Sequence, residues 1–220
     1  MRRTWNLTGG PAIGSGFGAL STAAGLCFAL MAFAPAAMAQ SAYPSLDGFE
    51  AAESTQVDPQ NAILMETTKG PVLIKLLPEV APQHVAQIKK LTREGFYDGI
   101  VFHRVIPGFM AQTGDPTGTG RGGSDEPDLP AEFSNVPYKR GTVGMARSQS
   151  PDSANSQFFI CFTDDGCSFL TGQYTVFGQV VEGMENVDEI ATGEPPRNPD
   201  SIVEMDVLAD ADTAKKETAQ

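Results

Sequence analysis

The chain has 220 residues, enough for one large domain or two small ones, and its 41% hydrophobic and 19% charged residues support a core, which excludes wholesale disorder. Lysine and arginine total 15 against 27 aspartates and glutamates, and the formal charge of −12 excludes a general nucleic-acid binder and docking on anionic lipid through a basic face. Two histidines and three cysteines are too few and too scattered for an ordinary zinc site, and 23 glycines with 16 prolines argue against a helical bundle.

Residues 1–39 read as an address. Arg2 and Arg3 supply a positive start, and no charged residue follows between Thr4 and Leu46. Gly16 to Ala34 is apolar, and Ala37-Met38-Ala39 offers small residues at both flanks of a cleavage site. An uncleaved span is the competing reading, since the run approaches bilayer length. Gly16, Gly18, Ser21, Thr22 and Gly25 dilute it, so cleavage after Ala39 and a periplasmic location are expected, with no stable membrane anchor. Arg2-Arg3 invites the twin-arginine route, which Thr4-Trp5-Asn6 fits poorly. Leu26 before Cys27 argues against a lipoprotein signal. Cleavage removes two arginines and no acid, taking the formal charge from −12 to −14.

Residues 40–60 form an acidic, extended lead-in carrying Asp47, Glu50, Glu53 and Asp58. From Asn61 the texture changes. Two apolar runs flank Lys69-Gly70-Pro71, a hairpin signal. Pro78 to Glu94 reads as an amphipathic helix, with Val85, Ile88 and Leu91 at three-residue steps and Gly95 behind it. Six short apolar runs follow, at 101–106, 109–113, 142–146, 157–163, 175–181 and 202–208, and a second short helix fits Met184 to Ala191. Gly114 to Pro130 is a glycine-rich loop long enough to be functional or disordered. The expectation is mainly β: a closed antiparallel barrel with two α-helices over residues 61–208, then a polar tail at 209–220.

Three segments hold the candidate chemistry: Phe102–Asp115, Gly144–Arg147 and Asn155–Ile160. If their strands are neighbours, Arg104, Gln112 and Gln157 present a guanidinium and two amides beside an apolar floor of Phe109, Met110 and Phe159. Such a groove holds an apolar residue while fixing nearby peptide carbonyls. Taken singly, each residue has a plainer reading: a strand arginine is usually an ion-pair partner, and aromatics and methionine are usually core.

These segments resemble the cyclophilin family of peptidyl-prolyl cis-trans isomerases, in particular its bacterial exported members. FHRVIPGFMAQTGD is similar to the family's first signature, and SQFFICF followed by VFGQVVEGMENVD to the second, in the same order and spacing across residues 61–208. The resemblance implies an eight-stranded antiparallel barrel capped by two α-helices, isomerase activity without a cofactor, metal or covalent intermediate, proline-containing polypeptide substrates and a monomer. It places Arg104 at the catalytic arginine and Phe109, Met110, Phe159 and Leu170 around the proline pocket. Gln112 and Gln157 fall beside the substrate backbone, and Ala146 where the chain passes. Arg147 stands where many eukaryotic members have asparagine. Phe169 and Tyr174 stand where drug-sensitive members have tryptophan and histidine, so weak cyclosporin binding is expected.

His103 invites a general-base reading, but bond rotation transfers no proton, and alternation points it away from Arg104. It and His84, expected on an exposed helix face, read as structural, and Asp115 as a turn residue. Cys161 and Cys167 bracket a short loop, and export would favour a disulfide; a buried free thiol is the alternative. Two rival classes remain: a proline-peptide-binding chaperone module with incidental turnover, and a barrel carrier for a small apolar ligand. Gly118–Gly123 lacks the lysine-serine ending of a phosphate loop.

Overall fold

The computed structural model describes residues 57–211. The expected signal segment 1–39, most of the lead-in and most of the tail lie outside them. Among the described residues there are eight strands, three α-helices and a further helical turn at 208–211. The strands are β1 (Ala62–Thr67), β2 (Gly70–Leu76), β3 (Arg104–Ile106), β4 (Met110–Thr113), β5 (Thr142–Met145), β6 (Phe158–Cys161), β7 (Val176–Glu182) and β8 (Ile202–Val207). The helices are α1 (Pro82–Arg93), α2 (Asp164–Cys167) and α3 (Met184–Asp188). No helix among them is long and apolar enough to cross a membrane.

All ladders are antiparallel, in the order β3-β4-β6-β5-β7-β2-β1-β8. The expectation of a closed barrel is corrected here: β3 and β8 are the two edges, share no ladder, and leave the curled sheet an open half-barrel. Only isolated bridges, Val101 to Ser201 and Val105 to Gly193, cross the seam. The physical reason lies in the segment before β8. Pro195, Pro196 and Pro199 have no N–H to donate, so it cannot extend the pairing begun at Gly193. The expectation of two helices is also corrected, because Asp164–Cys167 adds a single turn after β6, capped by Thr163, whose hydroxyl accepts from the Gly166 N–H at 3.1 Å.

Helix α1 opens on Pro82 and buries Val85, Ile88 and Leu91. No side chain of its own caps it. Glu132 does so from a distant loop, accepting from the backbone N–H of Gln83 and of His84, each at 3.1 Å. That loop covers His84, which is fully buried with Nδ1 2.6 Å from Glu132 Oε2, contrary to the exposed face expected for it. The short first turn at 78–81 is a hydrogen-bonded turn on Leu77 O rather than helix.

Alternation along the strands sorts side chains into two cores. Ala111 of β4, Phe158 and Ile160 of β6, and Val143 and Met145 of β5 join the large core inside the curl. Met110, Phe159 and Cys161 face the other way, into a smaller cluster with Tyr138, Cys167, Leu170 and Val176. The second cluster underlies the site.

Candidate active site

One row of residues crosses four strands. Arg104 of β3 pairs with Gln112 of β4, Gln112 with Phe159 of β6, and Phe159 with Gly144 of β5. The next row brings Ile106, Met110 and Cys161 together. Strand pairing therefore sets a cation, an amide and an aromatic ring side by side on one face.

Gly144 lacks a side chain in that row for a steric reason. A Cβ there would lie 2.1 Å from Tyr138 Oη and 2.8 Å from Phe159 Cζ. Tyr138 stacks on Phe159 with ring centroids 5.8 Å apart, and its hydroxyl donates to Thr175 O at 3.2 Å. Phe159 is thereby fixed from behind.

The face encloses a cavity of about 120 Å³ lined by Arg104, Phe109, Met110, Gln112, Ala146, Arg147, Phe159, Leu170 and Tyr174. Ligand clefts for drug-sized molecules run from about 300 Å³ upward, so this one suits a single side chain or ring. Leu170 closes it from the turn after α2, where a disulfide between Cys161 and Cys167 (S–S 2.15 Å) ties that turn to β6. Phe169 lies outside the cavity lining, 60% exposed, with its ring 5.6 Å from that of Phe109.

Polar groups run along the rim as a directed chain. Arg104 Nη1 donates to Gln112 Oε1 at 3.4 Å, Gln112 Nε2 to Gln157 Oε1 at 2.9 Å, and Gln157 Nε2 to Gly122 O at 2.8 Å. Each amide is thus oriented by its neighbours. Arg104 Nε donates to Glu194 Oε2 at 2.7 Å, and the guanidinium carbon sits 5.9 Å from the Phe109 ring centre. Arg147 lies over the Tyr174 ring at 4.3 Å and donates to the carbonyls of Ser148 (3.0 Å) and Gln173 (3.1 Å). Ala146 is held against β6, its N–H donating to Gln157 O at 2.9 Å.

Beyond Gln112 and Gln157 a second cavity of about 560 Å³ opens, lined by Arg121, Gly122, Ser124, Asp128, Ser153 and Asn155 among others. The loop expected at 114–130 forms its wall and is held at both ends. Asp115 accepts from the backbone N–H groups of Thr117, Thr119 and Arg121 at 2.7, 3.0 and 3.0 Å. Asn155 Oδ1 accepts from the N–H and hydroxyl of Ser124 at 2.8 and 2.7 Å. Burial pushes the Asp115 carboxyl up, but the hydrogen bonds from Thr117 and the loop backbone outweigh it and hold the group well below the usual carboxylate range.

His103 is buried beside Gly120. Burial draws its imidazole below the ordinary value, with Asp115 opposing and the Arg104 charge assisting, so the ring is neutral near pH 7. Two residues beside the site were not legible in the sequence. Tyr138 and Glu194 reach it from loops, and only the Gly193-Glu194-Pro195-Pro196 run gave any local signal of a built turn.

The described residues thus form a half-barrel whose face carries a small cavity with an arginine on its rim, sized for a single side chain or ring. Comparison with known proteins supplies the class. Residues 62–207 match the model of the cyclophilin type peptidyl-prolyl cis-trans isomerase family. The chain is 51% identical over 196 residues to a probable peptidyl-prolyl cis-trans isomerase of Brucella suis, covering 82% of this chain and 99% of that one. It is 39% identical over 148 residues to a peptidyl-prolyl cis-trans isomerase of Synechococcus elongatus (67% and 97% covered). Among solved structures it is similar to the cyclophilin AquaCyp293 from Hirschia baltica, with a TM-score of 0.64, 34% identity and 70% and 76% coverage. It is also similar to a Cryptosporidium parvum cyclophilin crystallised in the presence of the dipeptide Ala-Pro (TM-score 0.61, 28% identity, 66% and 96% covered). The chain belongs to the cyclophilin-type peptidyl-prolyl cis-trans isomerase family, and it is an enzyme of that activity.

Proposed function

We propose that Arg104 is the catalytic residue, that the 120 Å³ cavity takes the proline ring, and that the enzyme serves the folding of exported, proline-containing polypeptides in the periplasm as a monomer. The observation that carries the reading is the guanidinium at the edge of a cavity sized for a single side chain or ring.

An X-Pro amide resists rotation with a barrier of about 18–20 kcal/mol because the nitrogen lone pair is delocalised. Uncatalysed exchange takes tens to hundreds of seconds. In the twisted state the lone pair returns to nitrogen, which becomes a better hydrogen-bond acceptor than in the planar state. Phe109, Met110, Phe159 and Leu170 clamp the ring, while the carbonyl side turns along Ala146, Gln112 and Gln157. A guanidinium N–H then bonds the nitrogen only when the amide is twisted, which is differential stabilisation of the transition state. An acceleration of 10⁴ requires about 5.5 kcal/mol, within reach of one charge-assisted bond plus apolar clamping. No proton moves, so a neutral, buried His103 is consistent with a structural role.

The test is isomerisation of an X-Pro tetrapeptide, or proline-limited refolding, by the chain and by Arg104→Ala. The variant is expected to lose about a hundredfold or more in kcat, the scale on which a transition-state donor acts. Equal rates in both would overturn the assignment of Arg104. The export reading is checked by the N-terminus of the secreted protein, expected at Gln40. Because Phe169 and Tyr174 replace the tryptophan and histidine of drug-sensitive members, weak cyclosporin binding is part of the proposal, read by inhibition titration.

A further inference from the structure

Arg104 makes one contact that bond rotation itself does not require. We propose that Glu194 is a positioning residue for Arg104: its carboxylate grips the guanidinium from outside the sheet and sets the plane in which the side chain meets the substrate. The proposal rests on the reading of Arg104 as the donor to the twisted amide.

Apart from a long contact of Nη1 with Met110 Sδ at 4.0 Å, two hydrogen bonds to side-chain oxygens orient the guanidinium, and they are unequal. The inner one, from Nη1 to Gln112 Oε1, is 3.4 Å long and lies beyond the usual N–H···O range. The outer one, from Nε to Glu194 Oε2, is 2.7 Å and charge-assisted. Nε is the guanidinium nitrogen closest to the backbone, so a short bond there fixes rotation of the whole planar group. Among the described residues Nη2 has no hydrogen-bond partner, which leaves it for the peptide.

The loop that delivers Glu194 is built to a fixed register. Its neighbour Gly193 pairs with Val105 through two backbone hydrogen bonds, 2.8 and 2.9 Å, placing Glu194 alongside Arg104 on the open edge of β3. Gly193 stands at φ +146°, and a Cβ there would meet Pro196 Cα at 2.7 Å. At the far end Asp200 accepts from the Ala191 N–H and the Thr68 hydroxyl, both at 2.7 Å. A flexible side chain on a loose loop would give an incidental ion pair; here the backbone on both sides is tied down.

The side chains of the pair are 38% and 54% exposed, so its direct contribution to folding stability is small. That separates orientation from structure by experiment. With an uncharged X-Pro tetrapeptide, Glu194→Ala is expected to lower kcat about two- to fivefold at unchanged KM, the range open to an exposed ion pair. Glu194→Gln, which keeps an acceptor oxygen, recovers part of the loss, and Tm stays within about 2 °C of the parent. Raising ionic strength from 0.01 to 1 M shrinks the screening length from about 30 to 3 Å, so the parent rate falls toward that of Glu194→Ala, whose own rate stays flat. The Arg104 Nε–H resonance moves in Glu194→Ala. Arg104→Ala is run beside them: if it retains full activity, the reading of Arg104 fails. If it collapses while both Glu194 variants keep parental kcat at every ionic strength, the positioning role is overturned. A raised KM at unchanged kcat also overturns it, because Glu194 then binds peptide rather than holding Arg104.

Discussion

Replacing Gly144 by alanine probes the packing behind the 120 Å³ cavity. The added Cβ would lie 2.1 Å from Tyr138 Oη and 2.8 Å from both Tyr138 Cε1 and Phe159 Cζ, where carbon contacts normally relax near 3.5–4.0 Å. Tyr138 cannot swing aside, being 1% exposed, stacked on Phe159 and bonded to Thr175 O. Overpacking of this kind costs about 1–3 kcal/mol. The smaller entropy of the unfolded alanine chain returns about 0.4–1 kcal/mol. The expected net destabilisation is therefore about 1–2 kcal/mol, a fall of about 2–8 °C in Tm for a domain of this size, with kcat/KM lowered because Phe159 is pushed into the cavity. Tyr138→Phe alone loses one hydrogen bond, about 1 kcal/mol. In the double variant the shortest of the three contacts is gone while the two at 2.8 Å remain, so the combined loss should be smaller than the sum of the singles. Thermal unfolding and tetrapeptide turnover of all four proteins read this. A Gly144→Ala enzyme as stable as its parent, or strict additivity in the cycle, would refute the steric argument.

Replacing Cys161 and Cys167 together by serine removes a link between residues six apart; loop-closure entropy puts the loss near 2 kcal/mol, and KM for the proline peptide should rise as the Leu170 wall loosens. Unchanged Tm and KM would show the link to be idle. Asp115→Asn is expected to destabilise by about 1–3 kcal/mol at pH 7, as the charge is lost and one of the two oxygens that accept from the 117–121 backbone becomes an NH2 that cannot. Because the folded carboxyl is held below its ordinary value, its contribution is full above that value and disappears as pH falls through the depressed one, so the gap between variant and parent should close in acid below about pH 4. A gap constant from pH 7 to 2 in denaturant titrations would contradict this.

What the sequence disclosed followed from local pattern. Alternation at Ile63–Met65 and Val72–Leu76, and the three-residue steps of α1, report which side of an element is apolar, and that survives in the fold. Pairing is a different matter. Eight strands suggested closure, yet whether β3 meets β8 depends on Pro195, Pro196 and Pro199, in a loop outside the signature runs. His84 shares α1 with the apolar stripe, and its burial is decided by Glu132, 48 residues away. Tyr138 and Glu194 reach the site by the same kind of long-range placement, which periodicity does not encode. The residues of the signature runs were readable through the family resemblance, and Arg104, Gln112 and Phe159 then fall in register across β3, β4 and β6.

The open seam has a bearing on how such an enzyme handles its substrates. Unfolded chains are extended, and an uncovered strand border invites them to add on as a further strand and stay there. The protein itself meets both borders of this sheet at a few points: the Gly193 backbone pairs with Val105 of β3, while at β8 Gly99 donates to Ile202 O, Ile202 to Ile100 O, and Met205 to the side-chain carboxylate of Asp98. At the site proposed above, a visiting polypeptide would be held over β4 and β6 by one ring and a few side chains, free to depart after each turn.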